Sequence, residues 1–389
     1  MDIYRQIEQR IMEGSDLVKA VHVEEIDGQM MAMVYPDFER LKARQIINVR
    51  DEVKWYVIET YNLNMVDNIR VDSFRVVNEI LSSEDEHKID ETVETSTIYQ
   101  QLKTYLTNVT TSPITPLSHL ELDLELDSLE YVMLFVYVEK SFGLHLDEAI
   151  FSNLMVMKDL VKWIEEQHQQ CVEVEVAWHD VLKHKSKEVL VRSPWVMMVW
   201  RAFCWPYFKL FHTMEAIGVE RLPKGNFIIA PTHHSALDGF AIIAALPASV
   251  LRETFFLAYE GEFGKPHLRP LAKHSQMLLI DINKDLIASL QRTALPLIEG
   301  KNLVIFPENA RSRDGKLLPF KKFFAVLSTE LNLPIVPVIL KGTFEAMPTG
   351  ATLPKRVPIV VEFLEPVYPE DMDDETLNIK VQEYVKAHR

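Results

Sequence analysis

Short apolar segments alternate with helical segments between residues 227 and 361, and this alternation constrains the fold more than any other feature of the sequence. Five segments have the length and composition of buried strands: 227–230, 277–280, 303–306, 335–340 and 359–361. Three helical patterns lie between them: 239–246, 287–297 and 321–331. A chain with this order is predicted to form an α/β sandwich, with its ligand-binding residues just after the strand ends.

A histidine and an aspartate lie where the first of these strands is followed by a helix. Within one regular helix, His233 and Asp238 would point roughly 140° apart, but a loop histidine can meet an aspartate of the first helical turn. An aspartate that accepts from one imidazole nitrogen leaves the other nitrogen able to take a proton from a hydroxyl. The alternative is a helix-capping box of Ser235 and Asp238, in which His233 is only a loop residue.

A second polar segment follows the strand 303–306. Its residues Glu308 and Arg311 lie three positions apart, so they could form a surface ion pair contributing about 0–1 kcal/mol. Alternatively, the forked guanidinium of Arg311 holds a phosphate while Glu308 orients a neighbouring hydroxyl. Lys321 could enlarge such a phosphate site. Both interpretations stay open from the residues alone.

Residues 205–367 resemble glycerophospholipid acyltransferases of the lysophosphatidic acid acyltransferase type. Three motifs occur in the family's order: the His233-x4-Asp238 pair, FPExxRS at 306–312 and PIVPV at 334–338. The resemblance implies that His233 is the general base, that Asp238 orients it, and that Glu308, Arg311 and Ser312 bind the acceptor. It implies acyl transfer from a thioester donor, carried by phosphopantetheine or CoA, to a hydroxyl of a lysophospholipid or glycerol phosphate.

Two departures from the family pattern affect the acceptor site. Asn309-Ala310 replaces the usual Gly-Thr, and Asp281-Ile282-Asn283-Lys284 lacks the usual arginine after its aspartate. Two other functions therefore stay open: a catalytically impaired carrier or scaffold that works with a separate acyl ligase, and a thioester hydrolase. No Gly-x-Ser-x-Gly elbow supports the hydrolase.

A serine at a predicted helix start marks the middle of the chain. Ser128 and Asp127 begin a helix that ends at Phe142-Gly143, and further helices are predicted near 98–106 and 157–164. An Asp-Ser pair at this position is also an ordinary helix cap. The spacing indicates a small bundle with one long first loop.

Residues 97–168 resemble an acyl carrier protein, through LxLDSL at 124–129 and the helix ending at Phe-Gly-Leu. The resemblance implies a four-helix bundle and a phosphopantetheine attached to Ser128 by a phosphopantetheinyl transferase. The acidic flank suits docking on basic partners. Glu125 stands where such carriers usually have glycine, which is tolerated if the backbone there avoids positive φ.

Residues 1–90 are predicted to form a small α+β unit whose hairpin turns at Asp27-Gly28. The unit resembles the C-terminal subdomain of adenylate-forming acyl ligases. Lys88 lies near the family's adenylate lysine, but the preceding glycine is missing and the large ligase subdomain is absent, so no ligase activity is expected. The unit is either vestigial or docks on a separate partner such as an acyl ligase.

Charge is distributed unevenly between the parts of the chain. Residues 1–180 contain 15 Lys and Arg and 35 Asp and Glu, whereas residues 181–389 contain 26 Lys and Arg and 22 Asp and Glu, which gives the net charge of −16. The sequence thus predicts a multidomain protein: an α+β subdomain (1–90), a four-helix carrier bundle (97–168) and an α/β acyltransferase domain (172–389).

Location and partners are predicted from a few further features. Only Cys171 and Cys204 occur and no metal spacing is present, so no metal site is expected and a reducing cytoplasmic setting is favoured. The aromatic segment 194–211 carries Arg201 and Lys209, which suits a helix lying in a lipid interface or, equally, one buried against the core. We expect peripheral association with the inner face of the membrane and no nucleic-acid partner.

Overall fold

The structure is a computed structural model, and it describes these residues: 3–26, 29–44, 46, 48–63, 65, 69–77, 93–144, 150, 154–167, 182, 190–263, 265–280 and 286–389. Four sequence features lie outside the described residues: the Asp27-Gly28 turn, Lys88, Cys171 and the segment Asp281-Ile282-Asn283-Lys284. The chain divides into two compact units, one formed by the residues up to Ala177 and the other mainly by those from Trp178 onward.

Helices and strands alternate in the first part of the first unit. Its elements are α1 (Ile3–Gly14), β1 (Val18–Ile26), β2 (Gln29–Pro36), α2 (Phe38–Ala43), α3 (Val49–Glu52), a π-helical segment (Val53–Ile58), α4 (Glu59–Leu63) and β3 (Ser73–Val76). β1 pairs antiparallel with β2, and β3 pairs parallel with β2. α1 is amphipathic and buries Ile7 and Ile11, four residues apart on one stripe.

The second part of this unit contains three helices among its described residues: α5 (Thr97–Thr107), α6 (Ser128–Phe142) and α7 (Met157–Gln167). α6 begins with a capping box, in which Asp127 accepts from the amides of Leu129 and Glu130 while the Glu130 carboxylate accepts from the amide of Asp127. It ends at Gly143, whose φ of 64° is left-handed. The four-helix bundle stays a prediction.

Glu125 has a φ of 58°, so the condition under which glutamate would be tolerated at this position is not met. A side chain with a Cβ is strained in this region, which is why glycine is usual at such a position. The loop before α6 therefore keeps a backbone suited to glycine although the sequence has glutamate.

The second unit is built on a sheet of seven described strands in the order β4-β10-β9-β5-β8-β6-β7. Its strands are β4 (Glu215–Ile217), β5 (Ile228–Pro231), β6 (Thr254–Tyr259), β7 (Met277–Ile280), β8 (Asn302–Val304), β9 (Ile335–Lys341) and β10 (Val360–Phe363). Its longer helices are α8 (Pro194–Phe211), α9 (Asp238–Ala245), α13 (Leu286–Ile298), α14 (Phe323–Leu331) and α16 (Asp374–His388). Four-to-six-residue helices complete it: α10 (Ala248–Leu251), α11 (Glu260–Phe263), α12 (Arg269–His274) and α15 (Thr343–Ala346).

Alternation along the strands sends side chains to two separate cores. In β5, Ile229 packs in a cluster with α8 and α9, whereas Ile228 and Ala230 pack in a cluster with α13, α14 and α16. The predicted α/β sandwich is confirmed in this unit. The helix predicted from residue 321 begins at Phe323, because the amide of Lys321 donates to the Pro307 carbonyl at 2.8 Å and stays in the loop.

α8 has one face packed against the core and one exposed face, and its position in a lipid interface stays a prediction. Met197 and Phe208 are buried in the core, whereas Trp195, Phe203 and Leu210 are 71%, 71% and 74% exposed. Among the described residues, none of the helices combines the length and apolar character that crossing a bilayer requires.

Candidate active site

The two polar segments singled out in the sequence meet because their strands are neighbours. β5 and β8 pair in parallel, with Ile228 opposite Leu303 and Ile229 opposite Val304. The loop 232–237 and the loop 305–322 therefore leave the same edge of the sheet. This is the edge at which open α/β sheets place ligands.

His233 and Asp238 are in direct contact. The Nδ1 atom of His233 lies 3.0 Å from Oδ2 of Asp238, whose side chain is fully buried, while the His233 side chain keeps 21% of its exposure. Because a carboxylate can only accept, Nδ1 carries the hydrogen, and Nε2 is left with a lone pair. The contact forms because His233 is in the loop and α9 begins at Asp238.

The same carboxylate also binds backbone amides of the loop before α9, whose N-cap residue is Leu237. Oδ2 of Asp238 also accepts from the backbone amides of His234 at 2.6 Å and Ser235 at 2.8 Å. The Ser235 hydroxyl accepts from the Leu237 amide and donates to the Met347 carbonyl at 2.7 Å. Asp238 thus fixes both the loop backbone and the imidazole, so a capping role and an orienting role are compatible.

Two aromatic side chains complete the surroundings of this pair. The ring of Phe306 stacks on that of His233, with 4.0 Å between ring centroids and 25° between planes. His234 is buried beside it, and burial is the main cause that lowers the pKa of its ring.

Glu308 binds the backbone of the histidine loop. One carboxylate oxygen accepts from the amide of His233 and the other from the amide of Leu318, both at 2.7 Å. The amide of Ser312 donates to the carbonyl of His233 at 2.9 Å. Both peptide groups that flank the Cα of His233 are therefore held by the loop after β8. Glu308 is buried, so it cannot take part in the surface ion pair that was the alternative.

Burial makes the Glu308 carboxylate costly to ionise. It raises the pKa of this group from 4.5 to about 7, against the two amide donors, which lower it. The hydrogen bonds thus offset only part of the desolvation. A carboxyl group kept in such a place has a role other than general surface charge.

The remaining predicted residues lie in the same loop. Arg311 is half-buried, Ser312 is buried with its hydroxyl donating to Asp314 at 3.2 Å, and Lys321 is exposed. Asn309 has a φ of 57°. Asparagine tolerates this left-handed conformation better than most side chains, so the replacement of the usual glycine is compatible with the loop.

Several contacts at the site were not predicted from the sequence. Phe306 was identified as a strand residue and as part of the FPExxRS motif, but its ring contact with His233 depends on the pairing of β5 and β8. The Leu318 amide and the Met347 carbonyl act through backbone atoms, which leave no trace in residue type. A single sequence therefore gives no signal for these two backbone contacts.

Comparisons with known proteins agree with the location of this site. Residues 213–341, in the C-terminal part of the chain, match the family model described as Acyltransferase. The match lies within the acyltransferase domain predicted at 172–389, and the roles of the site residues stay predictions.

Three named proteins are similar to parts of this chain. The chain is 36% identical over 166 residues to a 1-acyl-sn-glycerol-3-phosphate acyltransferase of Limnanthes douglasii and 31% identical over 157 residues to that of Cocos nucifera. These alignments cover 42% and 39% of this chain and 56% and 48% of the relatives, so the chain spans about half the length of the curated relatives it matches. The solved 1-acyl-sn-glycerophosphate acyltransferase PlsC of Thermotoga maritima aligns over 50% of this chain and 78% of its own, with 27% identity and a TM-score of 0.44.

Proposed function

We propose that the protein transfers a fatty acyl group from a thioester to a hydroxyl of a lysophospholipid or glycerol phosphate. The observation that carries the proposal is the 3.0 Å contact between His233 and the buried Asp238 at the edge of the sheet. The match of residues 213–341 to the acyltransferase family supports it. The relatives' names supply the acceptor class.

In the proposed mechanism, His233 acts as general base. Its Nε2 takes the proton of the acceptor hydroxyl as the oxygen attacks the thioester carbonyl. The carbon–sulfur bond then breaks, and the imidazolium returns the proton to the leaving sulfur. Asp238 holds the tautomer and stabilises the imidazolium, and general-base catalysis of this kind contributes roughly 10²–10⁴-fold.

The acceptor's phosphate is assigned to cations of the loop 305–322. Arg311 offers a planar fork that matches a phosphate, and Lys321 adds a second positive charge. The earlier assignment of Glu308 and Ser312 to acceptor binding is revised. Both oxygens of Glu308 and the amide of Ser312 already bind the protein backbone, so we assign these two residues to positioning His233.

The test is His233→Ala, assayed with lysophosphatidic acid and with both acyl-CoA and acyl-carrier donors. Acyl transfer should be abolished while the unfolding transition stays as in the unsubstituted chain. Full activity of the variant refutes the mechanism. Free acid released without acceptor indicates the hydrolase, and no turnover of any donor by the unsubstituted chain indicates the scaffold.

We further propose that Ser128 carries phosphopantetheine, added by a phosphopantetheinyl transferase. When attached, the group supplies a thiol that holds the acyl chain as a thioester. The protein backbone fits this use: Asp127 caps the helix that begins at Ser128, and Leu126 and Leu129 are buried on either side. Such anchoring fixes the position of the attachment residue.

Intact mass tests the carrier assignment. Co-expression with a phosphopantetheinyl transferase should add the mass of one arm to the chain, and Ser128→Ala should abolish the increment. An increment that persists in the variant means that another residue is modified. A separate acyl ligase is the proposed source of the acyl group.

The exposed face of α8 supports a membrane surface as partner. Aromatic and aliphatic side chains such as Trp195, Phe203 and Leu210 stand in solvent along a helix whose opposite face is packed. Apolar side chains of this kind enter the interface between head groups and acyl chains. We propose that the protein works in the cytoplasm, peripherally on the inner face of the membrane, where its lipid acceptor resides.

A further inference from the structure

We propose that residues 3–77 act as a dock for residues 97–168 of the same chain, called the carrier segment below, and that Glu121 holds the two together. The two segments lie in one compact unit, and the contact joins the loop before α6 to the start of α3. The dock rests on these contacts alone. Only its link to acyl transfer rests on the proposed function.

Glu121 supplies hydrogen-bond acceptors to a helix that is remote in sequence. Its two carboxylate oxygens accept from the amides of Val49 at 2.8 Å and Arg50 at 2.7 Å. Amides in the first turn of a helix have no acceptor within the helix. Asn48 accepts from the amide of Asp51 at 3.2 Å, so the residue before the helix and the carrier loop satisfy different amides.

The burial of Glu121 shows that the contact excludes water. Only 8% of this residue is exposed, and burial raises the pKa of its carboxyl to about 7, although both amide bonds lower it. A buried carboxylate without partners is strongly unfavourable. Its two acceptor contacts with the first segment are therefore specific, unlike those of a solvated surface acid.

A second contact lies beside the first. The ring of His119, from the same loop, packs on Phe38 with 5.7 Å between ring centroids, and His119 is 1% exposed. Burial lowers its pKa to about 4, so the ring is neutral at physiological pH. Its Nδ1 accepts from the amide of Leu122 at 3.2 Å. An apolar contact thus accompanies the charged one.

The loop that docks is tied to the rest of the carrier segment. The amide of Leu120 donates to the carbonyl of Met155 at 2.8 Å, and the His119 amide donates to the Asp123 carboxylate at 2.8 Å. Seven residues after Glu121, α6 begins at Ser128. Docking through this loop orients the helix that starts at the proposed attachment residue.

The experiment is hydrogen exchange of the full chain, read by mass spectrometry at residue resolution. In Glu121→Ala, the amides of Val49 and Arg50 should exchange about tenfold faster or more, because they lose their acceptor. Glu125→Ala is the matched control: it removes an exposed acid from the same loop and should leave both amides protected.

Each outcome decides the proposal. Unchanged protection of both amides in Glu121→Ala, or equal acceleration in Glu125→Ala, overturns the dock. If Glu121→Ala also speeds the exchange of the core amides of α6, the substitution has disturbed the fold, and Glu121→Gln is then used as the test variant. That variant keeps one acceptor oxygen and should accelerate one of the two amides, whereas no change at either overturns the proposal. A failed mass increment at Ser128 would not alter these exchange rates, so the two proposals fail separately.

Discussion

Substituting Glu308 by glutamine separates a positioning role from an acceptor-binding role. Each carboxylate oxygen accepts one backbone amide, from His233 and from Leu318, both at 2.7 Å. Glutamine has nearly the same shape but only one acceptor oxygen. Its amino group must therefore face one of the two N–H donors, which loses its hydrogen bond.

The cost follows from the burial of the site. A buried donor left without a partner costs about 1–3 kcal/mol. If that cost falls on the placement of the His233 peptide, the rate of the chemical step should fall about 5- to 150-fold, since 1.36 kcal/mol corresponds to a tenfold change in rate. The acceptor's KM should stay within about twofold, because binding of the acceptor is not affected.

Steady-state kinetics with acyl-CoA and varied lysophosphatidic acid measures both quantities. Arg311→Gln is the comparison within the same loop: it should raise the acceptor's KM about tenfold or more, with the smaller effect on kcat. A Glu308→Gln variant with unchanged kcat and a raised acceptor KM would show that the carboxylate contacts the acceptor, and it would refute the positioning role.

Three further predictions test other features. Burial raises the folded-state pKa of Glu308 from 4.5 to about 7, so the free energy of unfolding should fall by up to about 3 kcal/mol as the pH rises from 4.5 past 7, relative to Glu308→Gln. Urea unfolding measures this difference, and a rise in stability would contradict the desolvation argument. Glu125→Gly should stabilise the carrier segment by roughly 0.5–1 kcal/mol, because a residue with a Cβ costs roughly 1–2 kcal/mol in the left-handed region and the added chain entropy of glycine offsets part of the gain. The control Asn309→Gly should change stability little, and equal effects of the two variants in thermal unfolding would refute the strain at Glu125. Phe203→Ser should weaken co-sedimentation with anionic vesicles several-fold, whereas the control Tyr56→Ser, at an exposed aromatic residue of the first unit, should not. Equal binding by both variants would exclude α8 as the surface that contacts the membrane.

The contact between His233 and Asp238 was predictable because it is local. A buried strand, a short polar loop and an apolar helix leave few ways for two residues five apart to be arranged. The role of Glu308 was not predictable in the same way, because its partner lies 75 residues away and is a backbone amide. Only the pairing of β5 with β8 decides which amide the carboxylate meets.

The acidic loop of the carrier segment shows a second limit. Its acids suggested docking on basic partners, yet Glu121 is buried against two amides, Asp123 accepts from the His119 amide, and Asp127 and Glu130 cap α6. Residue type gives the charge of a side chain but not whether its acceptor atoms meet solvent, a cation or a peptide group. The strained φ of Glu125 was missed for a related reason, since backbone conformation is set by the loop as a whole.

The hydrogen bonds that Glu308 and Ser312 make with the His233 backbone also matter for redesign of the acceptor specificity. These two residues contact the main-chain atoms of His233, so under the proposed function the position of the base is set independently of the acceptor's head group. Libraries aimed at new lipid acceptors should therefore vary positions 311 and 321 and leave 308 and 312 unchanged. We expect such libraries to retain turnover while their substrate preference shifts.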